Sequence, residues 1–192
     1  KAPAPRTLGQ LPAGASGARW SADGQWIYFT AGDKEGVSQV WRVKPDGSAV
    51  TQVTRLPLDA QAFRVSPDGR KLAVGLAVFP DCKTLDCTTD RQKKPEGTRA
   101  NGQLYTQLFV RHWDTWADGT KNHLFALDIG ADGSAANPVE LTPGFDGDVP
   151  SKPFGDDADF TFTPDGQAVV FSARVAGRSE PWSTNFDLFR AP

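Results

Sequence analysis

RWSADGQWIYFTA (Arg19 to Ala31), RVSPDGRKLAVGL (Arg64 to Leu76) and TFTPDGQAVVFSA (Thr161 to Ala173) are three copies of one pattern. Each reads as a short strand, a Ser/Thr-x-Asp-Gly turn and a second, alternating strand. The Asp-Gly step supplies the positive φ of a tight turn, and Pro67 and Pro164 preset the residue before it. The strand that follows alternates with period two, Trp26, Tyr28 and Thr30 on one side against Ile27 and Phe29 on the other.

A second element follows the first. VWRVKPDGSAVTQVT (Val40 to Thr54) and LFALDIGADGSAANPVELT (Leu124 to Thr142) are each a strand, an Asp-Gly turn and a strand ending in Thr. The two elements together make a four-stranded antiparallel meander. Asp23 and Asp68 stand 45 residues apart, the length of a propeller blade. Asp68 and Asp165 stand 97 apart with only one second element between them, so one blade carries an insertion at about 80–121. The fold class expected is all-β: a partial β-propeller of about three four-stranded antiparallel blades, one with a long insertion.

Residues 1–18 read as the outer strand of a preceding blade, at about Arg6 to Leu11, and a linker. Residues 19–57 read as one blade, 58–144 as the insertion-bearing blade and 145–192 as an incomplete blade. Asn185 to Pro192 matches Val37 to Pro45, a third strand running into its turn. Both ends would then cut a blade at the same turn, which reads as a fragment of a longer propeller, as does the absence of methionine. Such open blade edges predict self-association by strand exchange, as a homodimer or, alternatively, as an open-ended assembly.

Hydrophobic residues make up 39% and charged residues 23%, enough apolar content for a packed core. The net charge of −2, with both signs spread along the chain, argues against nucleic acid or an anionic membrane as partner. The longest apolar stretch, Leu72 to Phe79, is far short of the ~20 residues of a membrane span. Cys82 and Cys87 sit in a polar stretch. A local disulfide, which would imply an oxidising compartment, competes there with two free thiols. A metal site is disfavoured, because the spacing is wrong and no histidine is near. No cofactor is expected. Asp146 and Asp148, with Asp156, Asp157 and Asp159, lack calcium-loop spacing and read as solvated loop carboxylates. The basic run Arg91, Lys93, Lys94 and Arg99 reads as an exposed mobile loop. Trp20, Trp26 and Trp41 fall at repeat positions and read as core or blade-interface residues.

Three motifs carry a resemblance. RHWDTW (Arg111 to Trp116), followed by HLFALDI (His123 to Ile129), resembles the insertion-bearing blade of bacterial dipeptidyl and acylaminoacyl peptidases of the prolyl oligopeptidase family. FPDCKTLDCTTD (Phe79 to Asp90) is similar to the loop before it in periplasmic members, and EPWSTNFDLF (Glu180 to Phe189) to a later blade. The resemblance implies the propeller that caps an α/β-hydrolase domain in a secreted or periplasmic serine peptidase, where it limits access to short peptides. The hydrolase domain would be the propeller's partner and would supply the catalytic residues. The sequence holds no Gly-x-Ser-x-Gly, so no nucleophile elbow, and the chain alone is expected to be inactive with no catalytic residue.

The resemblance makes Arg111, His112, Trp113, Asp114, Trp116 and Trp182 the candidates for contact with peptide substrate or with the hydrolase domain. The alternative for His112 is a blade residue bonded to Asp114 or to backbone, and His123 reads as structural. The Asp-Gly repeat alone is also that of the Tol-Pal propeller, so a non-catalytic periplasmic propeller that binds proteins is the alternative function.

Overall fold

The computed structural model describes residues 4–93, 102, 104–106 and 108–192. In the first sheet, β1 (Ser16–Trp20), β2 (Ile27–Gly32), β3 (Ser38–Val43) and β4 (Thr51–Gln52) pair in chain order. The second sheet begins with β5 (Ala60–Val65) and β6 (Lys71–Val78). The insertion follows, with helix α1 (Leu85–Gln92) and a small hairpin of β7 (Arg111–His112) and β8 (Thr115–Trp116). The sheet then resumes with β9 (Lys121–Ile129) and β10 (Ala135–Glu140), in the order β10-β9-β6-β5. The third sheet holds β11 (Phe160–Phe162), β12 (Val169–Ala173) and β13 (Asp187–Ala191). All pairings are antiparallel. This is a partial β-propeller whose sheets do not close into a ring.

The repeated turns have one geometry. Gly24, Gly69 and Gly166 take φ of 68°, 71° and 69°, the left-handed region that glycine enters without penalty. Their N–H groups donate to Ser21, Ser66 and Thr163 carbonyls at 3.0, 2.9 and 2.8 Å. The hydroxyls of the same three residues donate to Asp23, Asp68 and Asp165 at 2.6, 2.6 and 2.5 Å. Each Ser/Thr-x-Asp-Gly is therefore locked from both sides, and this fixes the hairpin register of the sheet that follows.

The blades stack through two apolar interfaces. Tyr28 and Val40 of the first blade pack on Phe63, Leu72, Val74 and Phe125 of the second. The opposite face of the second blade offers Ala62, Ala73 and Leu124 to Phe160, Val169 and Phe171 of the third. Gly75 lies on that same face, where a Cβ would stand 2.5 Å from Pro150 Cδ. Close approach of blade and connection thus requires glycine there.

The Thr that ends each second element has a structural role. Thr54 Oγ1 accepts from Val40 N at 2.9 Å, and Thr142 Oγ1 accepts from Leu124 N at 3.1 Å. The residue before each donor is fully buried and polar. Gln39 donates to Leu56 O at 2.8 Å and accepts from Thr54 Oγ1 at 2.7 Å. His123 meets Glu140 Oε1 at 2.5 Å and Phe145 O at 3.0 Å. His123 thus pins a blade to its outgoing connection.

Three expectations need correction. Arg6 to Leu11 is not a strand. It has no ladder partner and instead lies against the first blade, with Gly9 backed by Gly47 and Leu11 packed on the cluster of Phe29, Ala31 and Val43. Trp20 is exposed rather than buried, because β1 is an end strand of its sheet and all five of its residues face solvent. The insertion opens as a helix rather than a loop. Thr84 caps α1 by accepting from Cys87 N, and Arg91 folds back onto Asp81 through two 2.7 Å bonds. Lys94 and Arg99 lie outside the described residues.

Candidate functional site

In an antiparallel meander the turns alternate ends. The Asp-Gly turns at Asp23, Asp46, Asp68, Asp132 and Asp165 therefore share one end of the blades. The long connections at 79–120, 141–159 and 174–186 share the other. The end with long connections is where sequence is free to build a site on a rigid scaffold.

The β7–β8 hairpin pairs Arg111 with Trp116 and His112 with Thr115. Between them Trp113 takes φ of 51°, a left-handed conformation unfavourable for a bulky residue, and its indole is 75% exposed. Trp113 and His112 meet Phe154 from the 141–159 connection, with ring centroids 5.3 and 5.4 Å away, and each other at 5.3 Å. Phe154 is 68% exposed, so the three rings form an open aromatic platform. Beside it the Arg111 guanidinium lies 5.3 Å from the Trp116 ring, which stacks on Tyr105 at 5.9 Å. Among the described residues the Nε2 of His112 is buried without a hydrogen-bond partner, and of the two partners the sequence left open, Asp114 or backbone, Asp114 forms no bond to it.

The platform stands on a dense polar base. Lys152 Nζ donates to Thr120 O at 2.7 Å, Asn122 N donates to Asp148 Oδ1 at 2.7 Å, and Val149 N donates to Asn122 O at 2.7 Å. Burial pushes the Asp118 carboxyl up, but two hydrogen bonds from Thr120 and nearby Lys152 outweigh it and hold the group below its ordinary range. Asp148, Asp156, Asp157 and Asp159 all accept hydrogen bonds within this end of the fold. They are structural acceptors, not simply solvated carboxylates, and no spacing rule in the sequence marked them so. Among the described residues no cluster of three or more metal-ligating side chains occurs.

Of the residues singled out from sequence, the structure joins Arg111 with Trp116 and His112 with Trp113, and leaves Asp114 exposed at the hairpin tip. Trp182 is apart from the three-ring platform. It ends the short 3-10 helix Gly177–Trp182 and is 76% exposed. Phe154 was missed, because it belongs to a connection whose contact with the hairpin is set only by tertiary structure. Cys82 and Cys87 are bonded to each other, with Cα atoms 5.5 Å apart, at the root of the insertion.

No protein-family model matches the chain. Among curated proteins, dipeptidyl-peptidase 5 of Porphyromonas endodontalis is 32% identical over 89% of this chain and 24% of its own length. Nearly the whole chain is thus similar to one part of a dipeptidyl-peptidase. Dipeptidyl-peptidase 5 of Porphyromonas gingivalis matches at 29% identity over 88% of the chain and 24% of its own length. Dipeptidyl-peptidase 4 of Giardia intestinalis matches at 29% over 92% and 25%. The chain spans about a quarter of the length of these curated proteins. The match agrees with the resemblance to dipeptidyl peptidases read from the sequence. Among solved structures, acylaminoacyl peptidase of Pyrococcus horikoshii superposes with a TM-score of 0.55 over 93% of this chain and 24% of its own, at 14% identity, a likeness of fold.

Proposed function

We propose that the chain is the propeller part of a secreted serine exopeptidase, and that its long-connection end admits and positions short peptides for an α/β-hydrolase domain. The observation that carries this reading is the match to dipeptidyl-peptidase 5 over nearly the whole chain. The geometry supports it, since an exposed aromatic platform on a rigid polar base suits the side chains of an extended peptide. Arg111 and His112 add polar contacts beside the rings. The catalytic serine, histidine and acid belong to the hydrolase domain, and the propeller contributes selection by access. The disulfide supports an oxidising location, the periplasm or outside the cell.

The test is direct. A full polypeptide that contains this chain is expected to release dipeptides from chromogenic substrates and to be labelled by a fluorophosphonate probe. The 192-residue chain alone is expected to do neither. A full polypeptide that neither turns over such substrates nor takes up the probe would overturn the reading.

A further inference from the structure

At the long-connection end of the blades, one ammonium group meets carboxylates from two different connections. Lys121 opens β9, directly after the insertion that holds the β7–β8 hairpin. Its Nζ stands 3.6 Å from Asp148 Oδ2 and 3.8 Å from Asp146 Oδ1, both on the 141–159 connection. It also stands 3.8 Å from Glu180 Oε2, on the 174–186 connection. Glu180 lies in the 3-10 helix that ends in the exposed Trp182.

The helix has few other ties. Arg174 donates to Glu180 Oε1 at 3.1 Å and to Ser183 O at 3.2 Å, on either side of Trp182, but Arg174 belongs to the same connection. The remaining hydrogen bonds of Gly177 to Phe186 join Ser179 to Ala176, Ser183 to Glu180, and Asn185 to Ser183 and Asp187. Among the described residues, the polar link from this helix to the second blade is therefore Glu180 to Lys121. The two side chains are 28% and 24% exposed, so solvent screens the pair only in part. The surrounding charges balance. Lys121, Lys152 and Arg174 face Asp146, Asp148 and Glu180, with Lys152 Nζ 3.8 Å from Asp148 Oδ1. Loss of the Lys121 charge leaves three carboxylates against two cations. Asp148 then keeps the Asn122 N–H and Lys152, and Glu180 keeps Arg174. What is lost is the tie between the Trp182 helix and the blade.

We infer that Lys121 is a positioning residue: through Glu180 it holds the Trp182 helix against the second blade, and Trp182 is a contact for bound peptide separate from Trp113 and Phe154. The peptide contact rests on the proposed function; the Lys121–Glu180 tie does not.

The test is steady-state kinetics of the full polypeptide with a dipeptidyl chromogenic substrate, for Lys121→Met, Lys121→Arg, Trp182→Ala and the double variant Lys121→Met/Trp182→Ala. Lys121→Met and Trp182→Ala should each raise KM about fivefold with kcat changed no more than about twofold. Lys121→Arg keeps the charge and should stay within about twofold of wild type. The double variant should match Trp182→Ala alone, because Lys121 acts through Trp182. Unchanged KM in Lys121→Met or in Trp182→Ala, Lys121→Arg as impaired as Lys121→Met, or a double variant in which the two effects multiply would overturn the inference. Fluorine NMR of the fluorotryptophan-labelled chain reads the tie without any peptidase step, with the Trp182 signal assigned by its loss in Trp182→Phe. That signal should shift in Lys121→Met and hold its place in Lys121→Arg, and a signal unmoved in Lys121→Met would overturn the positioning role. An inactive wild-type polypeptide whose Trp182 signal still answers to Lys121 would overturn the peptide contact and the proposed function, and leave the positioning role supported.

Discussion

Arg19 on the first blade and Asp157 before the third, 138 residues apart, are joined by two parallel hydrogen bonds of 2.7 Å. Arg64 of the second blade donates to Asp157 O at 2.7 Å and to Phe160 O at 3.3 Å, and its Nη1 stands 3.3 Å from Asp157 Oδ2. Arg19 and Arg64 open matching copies of the repeat, so one carboxylate gathers the first strands of two blades and the start of a third. Asp157 is the more buried partner, with 15% of its side chain exposed against 43% for Arg19. Removing it leaves two guanidinium groups uncompensated.

Asp157→Ala should therefore destabilise the chain by about 1–3 kcal/mol, and Arg19→Ala by about 1 kcal/mol or less. Urea unfolding of both single variants and the double variant measures the coupling. Additive effects would show that the pair does not hold the blades together.

Gly75→Ala places a methyl group against Pro150 in a close-packed interface. The expected cost is about 1–3 kcal/mol, the usual range for overpacking. The blade edge and the 141–159 connection can separate only by disturbing the Val149 to Asn122 hydrogen bond. A thermal midpoint unchanged from wild type would mean that the second and third blades are not in close contact.

The turn carboxylates should titrate low. Hydrogen bonds from the Ser21 hydroxyl and then the Gln25 N–H hold Asp23 below the ordinary carboxylate range. Ser66 with Arg70 does the same for Asp68, and Thr163 with Gln167 for Asp165. A depressed folded-state value adds stability that is fully present above the unfolded-state value, about 3.9, and is lost as pH falls through the lower folded value. Carbon-detected NMR titration reads each midpoint, and Ser21→Ala should move that of Asp23 upward. A midpoint for Asp23 unchanged by that substitution would show that the hydroxyl is not the cause.

The Cys82–Cys87 bond closes a short loop, so its loss should cost only about 2 kcal/mol by loop-closure entropy. The effect should be local. In hydrogen exchange, α1 should lose protection in Cys87→Ser while β6 and β9 keep theirs. Intact mass before and after reduction, with alkylation, reports the bond itself. Two alkylatable thiols in unreduced protein from an oxidising host would contradict it.

The fold was readable because its signals are local. Asp-Gly turns, alternating strands and blade spacing are each written within a dozen residues, as Ser21 to Phe29 shows. The Thr at the close of each second element was visible as a pattern, but its bonds to Val40 and Leu124 were not. What the sequence hid was non-local. Phe154 reads as a lone loop aromatic until the chain brings it to Trp113. Asp157 reads as one of several loop acids until Arg19 and Arg64 converge on it. Arg6 to Leu11 has strand-like residues, and only tertiary packing against Gly47 decides that it is not one. The RHWDTW motif falls on the β7–β8 hairpin, yet the rings around it come from two separate connections.

The central claim is that the long-connection end, through Trp113 and Phe154, positions peptide for a hydrolase domain. It is tested most directly by steady-state kinetics of the full polypeptide carrying Trp113→Ala or Phe154→Ala, with a dipeptidyl chromogenic substrate. Both residues are exposed, so the fold should survive their loss. The account predicts KM raised about tenfold with kcat changed no more than about twofold, the pattern of lost binding that is equal in ground and transition states. KM and kcat both unchanged in a folded double variant would contradict it.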